Sequence, residues 1–344
     1  MRAIVLDAFG GVENFREADV PAPQPQAEQV RIRTRAAGLN PVDYKIRRNG
    51  SPWELPLILG HEAAGVVDAV GSRVRSFAKG DEVYAFLGVP RSNGSYAEFS
   101  CIDEWFVAPK PTGLNFEQAA ALPVAGLTAY ECIFRKVQPE PGTPVFVAGG
   151  SGGVGSILIQ LLQYLDAHPI LTTAGGEESA SYLTDKFRIE SRHILRYAGK
   201  SLEEMRDRVV EMNDGKLVPV AYDLVGGQMK RLCVAVSALE GHIVSIVEEP
   251  DDFTIGADGK RGDLFLHSAS YHTEFVLARS LMTGRAGWEL YREELDTLAR
   301  LIGDEQLKCP PVTTLGDLSL ETIRQGHQQL EAGHTKGKLV VTVP

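Results

Sequence analysis

The feature that most restricts the fold of this chain is a glycine-rich hexapeptide, Gly150-Ser151-Gly152-Gly153-Val154-Gly155. The segment before it, 144–148, is apolar throughout, which is typical of a strand covered on both faces. The segment behind it carries apolar side chains on one face of a helix, at Ile157, Leu158, Leu161, Leu162 and Leu165. Glycines in such a loop let backbone N–H groups approach a phosphate, and the following helix N-terminus adds partial positive charge. The pattern therefore predicts a dinucleotide-binding turn.

Strand and helix patterns alternate on both sides of this loop and define the fold class. We predict further strands at 170–173, 194–195, 218–224, 242–247 and 264–267, with helices at 202–212 and 228–238 between several of them. This rhythm indicates an α/β protein with a doubly wound parallel (Rossmann) sheet. The segment 264–267 is expected to be the edge strand, and because an unpaired edge favours pairing with a twofold copy, we predict a homodimer.

The first ~120 residues have a different sequence pattern, which predicts short strands between glycine and proline turns and little helix. This pattern predicts a small barrel-like β domain. Two helices at 289–302 and 320–332, followed by a strand at 338–343, are expected to return to that domain. We predict a catalytic domain at 1–124 and 272–344, and a dinucleotide-binding domain at 125–271.

Charge and cysteine content limit the partners and the compartment. The 344 residues carry a net charge of −10, which argues against nucleic acid as a partner because phosphate backbones require a basic surface. The four cysteines form no CxxC motif, so neither a disulfide framework nor a structural zinc lobe is indicated. We find no secretory signal pattern and no clean apolar run of ~18–20 residues, and we expect a cytoplasmic protein without a membrane span.

The end of the second strand of the predicted sheet indicates which dinucleotide binds. NAD sites usually carry Asp or Glu there, about 20 residues after the first glycine, to hold the ribose diol. Here Thr173 and Ala174 end the strand and no carboxylate follows until Glu177. The absence of an acid at the tip favours NADPH, with Arg192, Arg196 and Tyr197 as the nearest candidates for the 2′-phosphate. A Glu177 side chain turned inward would reverse the preference to NADH.

A second motif lies in the N-terminal domain. Gly60-His61-Glu62, with Gly80-Asp81-Glu82-Val83 and Gly337-Lys338, resembles the medium-chain dehydrogenase/reductase superfamily over nearly the whole chain. In the zinc alcohol dehydrogenases of that superfamily, this histidine is one of three catalytic zinc ligands. The other two ligand positions correspond here to Asn40 and Ala125, so the resemblance implies a site without metal. We expect His61 to be a structural histidine hydrogen-bonded near Asp43 or Glu62, and zinc held by Asp43, His61 and Glu62 is the alternative.

The chain is similar to the zinc-independent quinone oxidoreductase (zeta-crystallin-like) branch of the superfamily. The shared segments are Asn40-Pro41-Val42-Asp43, the stretch from Ala119 to Tyr130, and the glycine loop. The resemblance implies reduction of quinones or α,β-unsaturated carbonyls by NADPH in a homodimer. It also implies that Asn40 and Asp43 line the catalytic cleft, and that Thr128 lies near the nicotinamide. The other cofactor contacts predicted are Gly150, Ser151, Gly152, Gly153, Val154, Gly155, Thr173, Ala174, Tyr197, Val225 and Lys338.

The chemistry follows from what the chain lacks. Oxidising an alcohol requires removal of a proton with a pKa near 16, and bound zinc lowers the pKa of bound water by roughly eight or nine units. An asparagine cannot replace that effect, whereas hydride addition to an enone or a quinone needs only stabilisation of the anion it forms. We predict that Asn40 donates to this anion and that Tyr44 donates the proton, with Lys45 or water as substitutes. The alternatives are an enoyl-thioester or alkenal reductase, a zinc alcohol dehydrogenase, and an NADPH-binding protein with little turnover.

Overall fold

The chain divides into two units, one of residues Met1–Leu127 with Leu277–Pro344 and one of residues Thr128–Val276. The computed structural model describes residues 1–88, 93–249, 263–333 and 335–344. Within those ranges, no helix combines the length and the apolar character needed to cross a membrane.

The strands of both units are numbered in chain order. They are β1 (Arg2–Leu6), β2 (Phe15–Asp19), β3 (Gln29–Leu39), β4 (Leu57–Ile58), β5 (Glu62–Val70), β6 (Glu82–Phe86), β7 (Phe99–Asp103), β8 (Val107–Pro109), β9 (Val145–Ala148), β10 (Ile170–Ala174), β11 (Ile194–Arg196), β12 (Val218–Asp223), β13 (Ser237–Ser245), β14 (Ser270–Thr273), β15 (Val312–Asp317) and β16 (Lys338–Thr342).

The helices are numbered in the same way. They are α1 (Pro41–Asn49), α2 (Phe116–Ala120), α3 (Pro123–Glu131), α4 (Gly153–Tyr164), α5 (Glu177–Phe187), α6 (Leu202–Met212), α7 (Gln228–Ala235), α8 (Asp263–Leu266), α9 (Ala278–Met282), α10 (Glu289–Gly303) and α11 (Leu320–Ala332). A π-helical turn, Cys132–Lys136, continues α3, and 3₁₀ turns cover Val12–Asn14, Glu104–Phe106 and Ser191–His193.

The second unit is built on a six-stranded parallel sheet of order β11-β10-β9-β12-β13-β14. Numbered from β9, this is the order 3-2-1-4-5-6 of a doubly wound dinucleotide-binding fold. All four residues of β9 are buried, as the unbroken apolar run predicts for a central strand. The carboxyl end of β9 leads directly into the glycine loop, and the predicted fold class is confirmed.

The edge strand predicted at 264–267 is wrong. Helix α8 occupies that segment, the Ser268 N–H and the Ala269 N–H close its last turn, and Ser268 takes a positive φ of 49°. The edge strand β14 begins two residues later and pairs with β13. Phe265 and Leu266 are exposed by 76% and 53%, so this short apolar run is not a buried strand. Short apolar runs do not distinguish helix from strand by periodicity.

The first unit consists of a three-stranded sheet, β2-β1-β4, and a larger sheet in which β15, β16, β3, β5, β6 and β8 follow one another and β7 also pairs with β3. Strand β16 runs antiparallel to β3, so the C-terminal segment returns to the N-terminal β domain as predicted. One apolar cluster includes Leu39, Leu59, Tyr96, Ile323 and Val341 from both ends of the chain. This packing fixes the positions of Asn40, directly after β3, and Lys338, at the start of β16.

Candidate functional site

The glycine loop of the second unit leaves no space for side chains at two of its positions. A Cβ on Gly150 would lie 2.7 Å from Cδ1 of Ile159, and a Cβ on Gly155 would lie 2.7 Å from the Gly150 Cα. At Gly152 the nearest atom would be 3.5 Å away, an ordinary contact. The loop therefore packs its backbone against itself and against α4, whereas Gly152, directly before α4, has space beside its main chain. A tight glycine turn that leads into a helix N-terminus is the geometry that binds a pyrophosphate.

The tip of β10 supports this loop from the side. The Thr173 hydroxyl accepts a hydrogen bond of 2.9 Å from the Gly149 N–H, and Ala174 is buried as the last residue of the strand. Thr173 thus holds the start of the loop, a role that the cofactor contact predicted from sequence does not describe. Val225 is half-exposed and lies against Gly149, whose Cβ would be 2.7 Å from the valine.

The turn after β12 is fixed by a buried carboxylate. Asp223 is fully buried at the carboxyl end of the strand. Its Oδ1 accepts from the N–H groups of Val225 and Gly226, and its Oδ2 accepts from the Ser245 hydroxyl at 2.7 Å. Asp223 was not predicted as a site residue, although its place before a Gly-Gly pair at a strand end is a signal for such a turn.

Tyr197 and Arg196 lie beside the turn that follows β10. A Cβ on Gly175 would be 3.0 Å from the Tyr197 hydroxyl, so this hydroxyl overhangs the glycine turn. Arg196 forms two contacts with Glu177, the first residue of α5, at 2.5 and 2.8 Å. Arg192, the other arginine considered from sequence, is bound at 2.8 Å by Glu190.

In the first unit, Asn40 lies inside a buried polar cluster. Its Nδ2 donates to Glu62 Oε1 at 2.9 Å, and its Oδ1 accepts from the Lys338 ammonium. That ammonium also lies 2.6 Å from Glu62, and the second oxygen of Glu62 accepts from the Val124 N–H at 2.8 Å. Asn40, Glu62 and Lys338 are 3%, 0% and 5% exposed. We name these three residues the Asn40 cluster.

The Asn40 cluster fixes the side chains of Asn40 and Lys338, which both have roles predicted from the sequence. The amide of Asn40 is oriented by a carboxylate and an ammonium, which fixes its direction. Lys338 is engaged by Glu62 and Asn40 within its own unit, and its predicted contact with the cofactor stays a prediction.

Asp43 is the centre of a second buried group. It lies in the first turn of α1, where its Oδ2 accepts from the Asn40 N–H at 2.8 Å. Its Oδ1 accepts from the Gly60 N–H and lies 2.5 Å from Nδ1 of His61. Burial alone would raise the pKa of Asp43, but the charge and hydrogen bond of His61 and the Asn40 N–H together hold it below its ordinary value. Asp43 is therefore a fixed anion that orients the imidazole.

His61 is hydrogen-bonded to Asp43, as predicted, but within the described residues through only one of its two ring nitrogens. Its Nδ1 bonds to Asp43 as expected, but in the part of the chain that the structure describes its buried Nε2 has no hydrogen-bond partner. The Trp53 ring lies 6.0 Å from the imidazole. The sequence signal for this residue was the Gly60-His61-Glu62 motif itself.

Tyr44 and Thr128 are placed differently from each other. Tyr44 is half-buried on α1 with the Arg48 guanidinium 5.9 Å from its ring centre. Thr128 is buried in α3. Their roles as proton donor and nicotinamide neighbour stay predictions.

The donor set in the first unit does not fit a catalytic zinc ion. Ala125 offers no donor atom, and the amide oxygen of Asn40 is occupied by the cationic Lys338. A zinc site needs three protein ligands, and no cluster of three or more His, Cys, Asp or Glu side chains suited to a metal occurs among the described residues. The proposed alternative of Asp43, His61 and Glu62 fails on the same geometry, because Asp43 and Glu62 direct their oxygens to backbone N–H groups and side chains of the protein.

Comparison with known proteins agrees with this architecture. Residues 26–112 match the family described as "Alcohol dehydrogenase GroES-like domain", and residues 193–341 match "Zinc-binding dehydrogenase". A zinc-type alcohol dehydrogenase-like protein of Staphylococcus epidermidis is 29% identical over 96% of this chain and 95% of its own. The chloroplastic NADPH-dependent alkenal/one oxidoreductase of Arabidopsis thaliana is 40% identical over 52% of this chain and 48% of its own.

A solved structure extends the similarity to the whole fold. The crystal structure of the Escherichia coli quinone oxidoreductase complexed with NADPH matches 99% of this chain and 100% of its own, with a TM-score of 0.84 and 26% identity. A parallel sheet with a glycine loop, joined to a separate GroES-like unit, defines the class of two-domain oxidoreductases. Within that class, the chain carries a GroES-like alcohol dehydrogenase domain and a zinc-binding dehydrogenase domain, and its relatives and structural neighbours include quinone oxidoreductases of the medium-chain dehydrogenase/reductase superfamily.

Proposed function

We propose that the protein is an NADPH-dependent reductase of quinones or α,β-unsaturated carbonyls that works without a metal ion. The observation that carries the proposal is the combination of a pyrophosphate cradle with a catalytic unit whose zinc-ligand positions hold Asn40 and Ala125. The names of the relatives that include NADPH, quinones or alkenals support the same class of reaction.

When bound, NADPH supplies a hydride for the acceptor. The residues of the second unit then have a binding role. The open main chain at Gly152 and Gly153 would bind the pyrophosphate, Val225 would line the adjacent wall, and Tyr197 would present its hydroxyl to the adenosine end. The cradle fits such a group because a Cβ at Gly150 or Gly155 would disrupt it.

The residues of the first unit would act on the acceptor. Hydride addition to an enone or a quinone leaves negative charge on oxygen, and a fixed donor stabilises that charge. The second hydrogen of the Asn40 Nδ2 would be such a donor, because the first is donated to Glu62, and Glu62 and Lys338 together set the orientation of the amide. One charge-assisted hydrogen bond contributes about 1.5–3 kcal/mol, which corresponds to roughly ten- to a hundredfold in rate.

Stopped-flow oxidation of NADPH over a panel of benzoquinones, alkenals, enoyl thioesters and simple ketones tests this proposal, with zinc quantified on the same sample. We expect turnover of quinones or enones, no dependence on a chelator, and zinc well below one equivalent. Stoichiometric zinc together with chelator-sensitive alcohol oxidation would overturn it. Tight NADPH binding with no acceptor reduced would favour a binding protein.

Two variants test the residue roles. Asn40→Ala is expected to lower kcat by about ten- to a hundredfold, and Tyr44→Phe tests the proton donor through the pH profile of kcat. An Asn40→Ala variant with full turnover would remove Asn40 from the mechanism. Arg48→Gln, which changes the neighbour of the Tyr44 ring, serves as the control on α1.

The predicted homodimer is proposed on a different edge element from the one expected. In the described part of the chain, β14 is an outer strand of the parallel sheet. Exposed apolar side chains lie near it in the sequence, at Phe265, Leu266 and Phe275, and Leu239 is exposed in β13, the strand that pairs with β14. Light scattering of the native protein measures its oligomeric state. If a Phe265→Asp variant has the same oligomeric state as the native protein, the exposed apolar residues near β14 do not form the dimer interface.

A further inference from the structure

We propose that the ion pair between Arg196 and Glu177 controls coenzyme specificity. It keeps the difference in affinity between NADPH and NADH small, so that the protein binds both. This inference rests on the proposed function as a dinucleotide-dependent reductase. It concerns residues of the second unit only.

The position of the pair is set by the register of the sheet. Arg196, the last residue of β11, pairs with Ala174, the last residue of β10. Glu177 begins α5 three residues after that strand end. The end of this strand is where a dinucleotide fold recognises the 2′ position of the adenosine ribose. Both charged side chains are therefore placed where the 2′ group that distinguishes the two coenzymes would bind.

The ion pair is weak enough for a charged ligand to take the place of either side chain. The guanidinium contacts both carboxylate oxygens, at 2.5 and 2.8 Å, which is a two-pronged arrangement. The Arg196 and Glu177 side chains are nevertheless 57% and 71% exposed. Exposed ion pairs are weak because water and salt screen them. A ligand with suitable charge can therefore displace one member at little cost.

Each member suits a different coenzyme. The planar guanidinium matches a phosphate in two-pronged fashion, whereas a carboxylate accepts a hydrogen bond from a ribose 2′-hydroxyl. A 2′-phosphate would meet the positive charge of Arg196 and the negative charge of Glu177 at the same place. The Tyr197 hydroxyl, which overhangs Gly175, can donate to either group. The local charge therefore favours neither coenzyme strongly.

Dissociation constants of NADPH and NADH, measured by nicotinamide fluorescence on the full chain, test this inference. For the native protein we expect the two constants to differ by less than about tenfold. Glu177→Gln should tighten the binding of NADPH by about tenfold and weaken that of NADH, because it frees Arg196 and replaces the charged acceptor for the 2′-hydroxyl by a neutral amide oxygen. Arg196→Gln should weaken NADPH by about tenfold or more and leave NADH unchanged or tighter.

The matched control is Glu211→Gln, which breaks an exposed arginine–glutamate pair with Arg208 on α6, at residues to which no coenzyme contact is assigned. It should leave both dissociation constants unchanged. If both coenzymes bind but Glu177→Gln changes their two dissociation constants equally or not at all, the inference is wrong and the proposed function stands. If neither coenzyme binds the native protein, the proposed function fails. A native preference for either coenzyme above about tenfold would also overturn the inference.

Discussion

Replacing Lys338 by methionine tests whether the Asn40 cluster depends on a buried counter-charge. The Lys338 ammonium lies 2.6 Å from Glu62 and also donates to Asn40, and both charged side chains are at least 95% buried. A methionine side chain has nearly the volume of the lysine side chain but carries no charge. Among the described residues, Glu62 then keeps the Asn40 amide and the Val124 N–H as hydrogen-bond partners. A buried anion remains without its cation.

Removing one partner of a buried ion pair costs about 3–5 kcal/mol, because the other charge stays buried and uncompensated. We expect the free energy of unfolding of Lys338→Met, measured in urea, to fall by that amount. The double variant with Glu62→Gln should recover at least about 1 kcal/mol of the sum of the single losses, since the two residues interact directly.

The control for this measurement is Glu82→Gln, which breaks a more exposed pair with Lys110 at 3.2 Å. It should cost no more than about 1 kcal/mol. A loss of under about 1 kcal/mol for Lys338→Met, or strict additivity in the double variant, would refute the argument that the pair is coupled and buried.

Three further predictions concern other parts of the chain. Burial lowers the pKa of His327 to about 4. The native protein should therefore lose stability as the pH falls from about 6.5 towards 4, because the unfolded chain takes up a proton there and the buried imidazole does not. In urea titrations, the free energy of unfolding of His327→Asn should depend less on pH than that of the native protein. Gly155→Ala should unfold at lower temperature and bind NADPH poorly, because its Cβ would meet the loop backbone, while Gly152→Ala should melt like the native protein. Burial raises the pKa of Cys101 to about 11 and of Cys309 to about 12; a thiol reagent at pH 7.5 should therefore label neither in the native state and both after unfolding.

The sequence predicted the sheet of the second unit because that information is local. An apolar strand, a glycine loop and an amphipathic helix follow one another at 144–164, and each is set by neighbouring residues. The edge strand could not be placed in the same way. The apolar run around Phe265 satisfies both a strand and a helix pattern, and only the pairing of β13 with β14 decides between them.

The sites show the same division. Asn40, Asp43 and His61 can be named as candidate site residues from their motifs alone. The replacement of a zinc ligand by Asn40 is visible in the sequence, because it depends only on residue type. That Lys338 bonds to Asn40, and that Asp43 orients His61 while its Nε2 stays unbonded, depends on contacts between distant segments. Likewise, Glu177 was named from sequence, but the direction of its side chain towards Arg196 was not.

The fold class, the glycine loop and the residue types at the positions of the zinc ligands can all be read from the amino-acid sequence, since they depend on short-range patterns and on which atoms a side chain carries. Which charges neutralise each other, as in the pairs of Lys338 with Glu62 and Arg196 with Glu177, emerges only in the folded protein. An electrostatic interaction depends on distance and burial, and both are set when segments far apart in the chain pack together.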